Sequence, residues 1–302
     1  MRMTETIKDY LLLAKPGIIL GNLVSAAAGF FLAARGDVHP ALLVPTLLGV
    51  SLTVASGSVL NNIVDRNTDR KMTRTQNRAL PRGAISPGAA FFYGLLLGAA
   101  GMALLGSSTN IVTVVIVAAG LAIYVGLYSL WLKPLSVHSS LIGSLAGSAP
   151  ALAGYCAVSK SFDTGALILL FIFSLWQMPH CYAIAVFRYG DYAAAGIPVL
   201  PVKQGIPSTI KHVLAYMLAF MAATLMLTLF GYTGYTYVAV ATVMNGIWLR
   251  VAWSGFRTAR ERVWARKLFV SSILILAVLC VMMSIDYAPQ HAMDRLFLVF
   301  TP

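Results

Sequence analysis

Charge is what this chain has least of, and negative charge above all: 10 acidic residues in 302, within a composition only 11% charged. A water-soluble domain carries about 25% charged residues. An aqueous surface is therefore excluded, and a lipid bilayer is the expected solvent. Basic residues are in excess, with a formal net charge of +12. In a soluble protein that would suggest nucleic acid. In a membrane chain it marks the cytoplasmic face instead, and no nucleic-acid partner is expected. Cysteine is scarce as well. Cys156, Cys181 and Cys280 have neither disulfide nor metal-ligand spacing, which leaves each the role of a small apolar residue. The N-terminal MRMTETIKDYLLLAKPG lacks a small-residue cleavage site, so it is expected to be retained, not removed as a signal peptide. No linker or shift in composition divides the chain, and residues 1–302 are expected to form one membrane-embedded domain.

What is abundant is apolar surface, 59% of the residues. A spanning helix needs about 20 mostly apolar residues. Nine segments qualify: Gly17–Ala34, Leu42–Leu60, Gly88–Gly106, Ile111–Leu130, Leu141–Val158, Ala166–Phe187, Val213–Phe230, Tyr237–Trp253 and Leu268–Ile285. With the N-terminus inside and the C-terminus outside, 19 of the 22 basic residues fall on the cytoplasmic side, leaving only Arg35, Lys160 and Arg295 outside. That asymmetry sets the expected orientation. The last inside loop alone holds Arg250, Arg257, Arg260, Arg262, Arg266 and Lys267. Spans two and six each run into a polar segment containing aspartate and basic residues. Two four-helix halves related by an axis along the membrane normal, plus a ninth helix, account for that repeat.

The first polar segment reads NNIVDRNTDRKMTRTQNRALPRG, Asn61 to Gly83. If span two stays helical past Leu60, Asn61, Asp65 and Asp69 recur every fourth residue along one face. Asn62 stands beside them. Two carboxylates with amide oxygens form a hard-oxygen site of the kind Mg²⁺ takes, with a substrate phosphate completing the shell. Lys71, Arg74, Arg78 and Arg82 follow, and guanidinium forks match phosphate oxygens. A diphosphate held by Mg²⁺ is the chemistry these residues fit. The plainer alternative makes the basic residues topogenic, with Asp65 and Asp69 neutralising Arg66, Arg70 or Lys71 as surface pairs.

The second polar segment, HCYAIAVFRYGDYAAAGIPVLPVKQG, has Asp191 as its one acid, with Arg188 before it and Lys203 after it. Pro179 is expected to break or kink span six there, letting His180 and Tyr182, Tyr189 and Tyr192 border a cavity. Between the two segments lies IYVGLYSLWLKPLSVH, with Lys133 close to Tyr124 and Tyr128. These tyrosines read equally as an interfacial belt or as a shield for an allylic cation.

Three strings together carry a resemblance: N-N-x-x-D-x-x-x-D-x-x-M-x-R-T after span two, Y-S-x-x-L-K after span four, and M-P-H-x-Y-A-I-A-x-F-R-x-x-D-Y leading to I-P-V-L-P-V after span six. The sequence resembles the UbiA-type membrane prenyltransferases, and within them the branch that farnesylates heme. The similarity runs from about Lys15 to the last helix. It implies an all-α polytopic fold of nine transmembrane helices around a cavity opening near the cytoplasmic face. It also implies farnesyl diphosphate and heme B as substrates, heme O and diphosphate as products, the bacterial inner membrane as location, and terminal oxidase assembly factors as partners. By position, Asn62, Asp65 and Asp69 match the first Mg²⁺-diphosphate motif, and Asp191 matches the start of the second. Catalytic roles are expected of Asp65, Asp69 and Asp191, and metal contact of these three with Asn62. Arg74, Arg78, Lys133 and Lys203 fall at diphosphate-binding cations. Asn61, Lys71, Tyr128, His180 and Arg188 complete the expected substrate contacts. His180 would ligate iron or bond a propionate, against the alternative of capping backbone freed by Pro179; Arg188 or a basic residue of the last inside loop would pair with propionates. The chain departs from the family at Asn61-Asn62, where Asn-Asp is common, and at Ala195, where a further Asp is common. One or two Mg²⁺ ions are therefore both open. From other classes, a transporter predicts charge near mid-membrane, and a bis-histidine heme subunit needs a facing partner for His180.

Overall fold

The computed structural model describes residues 3–288, and every regular element among them is helical. A short helix α1 (Met3–Leu13) precedes α2 (Pro16–Ala34), α3 (Pro40–Asp69), α4 (Pro87–Ser108) and α5 (Ile111–Ala122). The α5 rod continues as a π-helix, Ile123–Leu132, and a last turn α6 (Lys133–Leu135). Then come α7 (Ser139–Ser159), α8 (Thr164–Phe187), α9 (Tyr189–Ala195), α10 (Leu200–Leu229), α11 (Tyr235–Trp253) and α12 (Glu261–Ile285). Proline opens α2, α3, α4 and α10, where its missing N–H costs nothing. Side chains of Ser86, Asn110 and Asp163 cap α4, α5 and α8.

Eight helices are long and apolar enough to cross a bilayer, counting Ile111–Leu135 as one rod, and the chain is a multi-pass membrane protein. The segment expected as the eighth span, α11, is 19 residues long but falls outside that set. Asn245 and Arg250 dilute its apolar character. Asn245 is buried and donates to Thr224 Oγ1 at 3.1 Å. Arg2 and Arg295, which enter the charge count, lie outside the described residues.

Burial inside the bundle follows small residues. A Cβ at Gly29 would strike the carbonyl of Ala151, and one at Gly154 that of Ala26, so α2 and α7 cross with their backbones nearly touching. Trp248, Tyr237, Phe220 and Phe173 fill the second half of the core around α8, α10, α11 and α12. Large apolar side chains such as Leu20, Phe92, Leu95, Ile111 and Leu274 are exposed. In water such a surface would drive aggregation; here it is the lipid face.

Two local departures shape the polar end. Pro179 lies inside a continuous α8 that runs on to Phe187, so the expected break in span six is absent. The break falls in α10 instead, at Gly205 (φ 79°, ψ 167°), a conformation open essentially to glycine alone. The second departure is the π-helical stretch. In an α-helix residues five apart point about 140° away from each other, whereas the wider i→i+5 repeat brings them much nearer to one face. Lys133 is thereby set beneath Tyr128, and Ser129 beneath Tyr124.

Candidate active site

α3 does stay helical past Leu60, and Asn61, Asn62, Asp65 and Asp69 are all buried. Buried carboxylates demand partners, and these come from distant parts of the chain. Lys133 Nζ donates to Asp65 Oδ2 at 2.5 Å, and an Arg78 guanidinium nitrogen donates to Asp69 Oδ2 at 2.9 Å and to Asn62 Oδ1 at 3.4 Å. The plainer pairing with Arg66, Arg70 or Lys71 does not form. Arg70 Nε donates instead to the Pro81 carbonyl at 3.0 Å, and Arg82 pairs with Asp9. The second oxygen of each acid, Asp65 Oδ1 and Asp69 Oδ1, accepts no hydrogen bond among the described residues. No group of three His, Cys, Asp or Glu side chains converges among the described residues. The row thus offers two carboxylate oxygens, which fits Mg²⁺, an ion that takes one or two carboxylates and fills its shell from water and phosphate.

Lys15 completes this cluster, and nothing in the sequence singled it out beyond a count of positive charge. It sits between α1 and α2 in the left-handed region (φ 56°), and its Nζ donates to Asn61 Oδ1 at 2.7 Å. Asn62 Nδ2 donates to the Leu13 carbonyl at 2.8 Å. The two asparagines therefore fasten the α1–α2 corner over the acid row. Burial brings the Lys15 ammonium down to about 7, the positive charge of Arg78 pushes the same way, and Asp65 opposes. The signal that could have found it is the lysine-proline step at the entrance of the first span.

The π-helix supplies the facing wall. Ser129 Oγ accepts from Asn61 Nδ2 at 3.0 Å and donates to the Tyr124 carbonyl at 2.7 Å, closing the gap between α3 and the π-helix. Tyr124 and Tyr128 stack with centroids 5.8 Å apart, and Lys133 Nζ is 6.0 Å from the Tyr128 centroid. They line a cavity of about 190 Å³ with Asn61, Lys133, Ser140, Gly143, Gln177 and Cys181. Cys181, expected only to pack, is thus a wall residue.

The second polar segment is not drawn into the row. Asp191 Oδ1 accepts from Thr73 N at 3.1 Å and Thr73 Oγ1 at 2.7 Å, latching α9 to the loop after α3. Met72, Ala195, Ile197, Tyr192 and Val199 pack around this latch. Lys71 and Arg188 line a second cavity of about 750 Å³ with Asp191 and Tyr189. Arg74 and Lys203 are exposed, and neither lines a cavity described above. Tyr182 is buried against Tyr216, away from both cavities. His180 stacks between Trp176 and Phe269, with centroids at 4.7 and 4.8 Å, and its Nδ1 lies 2.7 Å from Ser272 Oγ. It does not cap the backbone around Pro179; its Nε2 has no hydrogen bond among the described residues.

Comparison with known proteins bears on what such a site does. A family model described as the UbiA prenyltransferase family matches residues 22–273. The chain is 56% identical over 291 residues to a protoheme IX farnesyltransferase of Sodalis glossinidius, covering 96% of this chain and 98% of that protein. It is 54% identical to the protein of the same name from Edwardsiella ictaluri, with 96% and 98% covered. Among solved structures, a digeranylgeranylglyceryl phosphate synthase superposes with a TM-score of 0.76 at 17% identity, covering 93% of this chain and 98% of the other. A UbiA homologue from Archaeoglobus fulgidus bound to DMAPP and Mg²⁺ gives 0.63 at 17% identity, with 92% and 99% covered.

Proposed function

The chain belongs to the UbiA prenyltransferase family, and from that premise we propose that it transfers the farnesyl group of farnesyl diphosphate to a vinyl group of heme B, giving heme O and diphosphate. The observation that carries the mechanism is the acid row. Asp65 and Asp69 share one face of α3, each paired with a cation and each with one oxygen left over. These two oxygens would hold Mg²⁺, with Asn62 beside them and the ion number left at one or two. Bound Mg²⁺ neutralises charge developing on a departing diphosphate oxygen.

Lys15, Arg78 and Lys133 surround the same place and would bind the diphosphate oxygens, so charge building on the leaving group meets fixed positive charge. The stacked rings of Tyr124 and Tyr128 would face the allylic carbon as it loses the diphosphate, and their π faces stabilise positive charge. The electron pair of the heme vinyl group then forms the new carbon–carbon bond, leaving a cation on the adjoining carbon. Water adds there and releases a proton, which gives the hydroxyl of heme O. Water must be kept from the first cation and admitted to the second. The corner fastened by Asn61 and Asn62 lies over the acid row and would control that access, and opening of the Asp191–Thr73 latch would accompany it. Asp191 would act as a metal or diphosphate contact only once the latch opens; Arg74 and Lys203 would join from the same face.

The charge pattern supports nine crossings, with α11 as the eighth, the N-terminus inside, the C-terminus outside and the site at the cytoplasmic face of a bacterial inner membrane. Assembly factors of a terminal oxidase are the proposed protein partners. A transporter would need charge at mid-membrane, and the ionic cluster lies at helix ends. Membranes containing the protein, given heme B, farnesyl diphosphate and Mg²⁺, should yield a heavier and more hydrophobic heme by mass spectrometry. EDTA should stop it. No mass change with Mg²⁺ present would dismiss the proposal.

A further inference from the structure

The larger cavity lies apart from the acid row and gathers three cations, Lys71, Arg188 and Arg262, in a largely apolar wall. Arg188, at the end of α8, and Arg262, in the first turn of α12, both stack on the ring of Phe187, their guanidinium carbons 4.5 and 5.5 Å from its centroid. Two guanidinium groups on one ring repel each other unless an anion lies between or beside them. Neither has an acidic partner within 4.0 Å among the described residues. Lys71 lines the same cavity. Of its two acids, Asp191 is taken by Thr73, and Glu261 sits at the start of α12, where the helix end itself favours negative charge. The rest of the wall is mostly apolar, with Val186, Phe187, Pro201, Ile206 and Pro207 beside the hydroxyl side chains of Thr73 and Tyr189. Gly205, in its glycine-only backbone conformation, lines the same hollow. About 750 Å³ is the size of pocket that takes a drug-sized or cofactor-sized molecule.

We propose that this cavity receives the carboxylate edge of the acceptor, with Arg188 and Arg262 as the pair that binds its two propionates. The inference rests on the reading of the chain as a heme farnesyltransferase. A free diphosphate would also suit two arginines. Its cations, however, are already assembled elsewhere: Lys15, Arg78 and Lys133 contact the acid row or its asparagines. The two cavities share no lining residue. Cys181 in the smaller and Phe187 in the larger are six residues apart on α8, about 9 Å along the axis. A flat apolar macrocycle with acids on one edge could thus reach along α8 from one anion site toward the other.

The test compares heme B with its dimethyl ester, in which both propionates are capped, in steady-state farnesyl transfer. Wild type should show a KM for the ester at least about tenfold above that for heme B. Arg188→Gln and Arg262→Gln should each raise the KM for heme B by about tenfold and leave the ester's KM unchanged. Arg262→Lys should retain most of the preference, and the KM for farnesyl diphosphate should stay within about twofold in all variants. Equal KM for both acceptors in wild type overturns the proposal without needing any variant to fold. So does an equal rise on both acceptors, or a rise for farnesyl diphosphate, which would give the cavity to the diphosphate. Wild-type protein that farnesylates neither acceptor sinks the underlying reading, and the proposal with it.

Discussion

Lys133 Nζ lies 2.5 Å from Asp65 Oδ2, joining residues 68 apart in the chain. The contact exists because α3 and the end of the α5 rod pack side by side and because the π-helix turns Lys133 toward the row. Both side chains are largely shielded from water, so neither tolerates the loss of the other.

Lys133→Met should therefore destabilise the protein by about 3 kcal/mol, because a buried carboxylate is left unpaired. Asp65→Asn combined with Lys133→Met should recover most of the loss, seen as a restored Tm in detergent. Neither variant should work: turnover is expected to fall at least about 100-fold in both, and in Asp65→Ala and Asp69→Ala, with membrane insertion intact. Near-normal transfer by purified Asp65→Ala with Mg²⁺ would remove the row from the mechanism.

Lys15 makes the site pH-dependent. Its ammonium loses its proton as pH rises through about 7, and a bound diphosphate would draw that proton back. The KM for farnesyl diphosphate should therefore climb above neutrality in wild type, while Lys15→Met is weak throughout and flat with pH. The stability effect has the opposite trend. Burying this charge costs most below about 7, and the cost fades toward the ordinary value of 10.5 as the folded protein sheds the proton first. Lys15→Met should thus gain most in Tm over wild type at low pH. Parallel pH profiles of wild type and variant would rule the lysine out.

The aromatic wall separates charge stabilisation from hydrogen bonding. Tyr128→Phe keeps the ring stacked on Tyr124 and near Lys133 and should retain turnover within a few-fold. Tyr128→Leu removes the π face and should cost about tenfold in kcat, the scale of one cation–π contact. Equal losses in the two variants would point to the hydroxyl instead.

His180 is held by Ser272 through Nδ1, which leaves Nε2 as the nitrogen able to meet heme. His180→Ala should shift the Soret band of heme-loaded protein and weaken heme B binding, with farnesyl diphosphate binding unchanged. An unaltered band and affinity would return the residue to packing between Trp176 and Phe269.

Much of this site was legible in the residues. The row of Asn61, Asp65 and Asp69 followed from helical repeat alone, and α3 extends to Asp69 as that reading required. Arg78 and Lys133 were expected among the cations. What stayed hidden has a common cause: it depends on which helices touch. Lys15 carries no local mark beyond the lysine-proline step, since its importance comes from Asn61, 46 residues away. Pro179 was expected to break or kink its helix; α8 runs on through it without a break, and the non-helical backbone lies at Gly205 in α10. Asp191 was expected beside the row and instead meets Thr73, 118 residues away.

The residues themselves determined the solvent, because so few charges over so many apolar runs can be satisfied only in lipid. They also determined that ionisable chemistry gathers at helix ends, and that two acids share one helical face, because periodicity is a property of the local backbone. Only the tertiary structure decided who partners those acids and which polar segment stands apart from them. Ion pairs form across packed helices, and packing depends on side-chain shapes summed over the whole bundle.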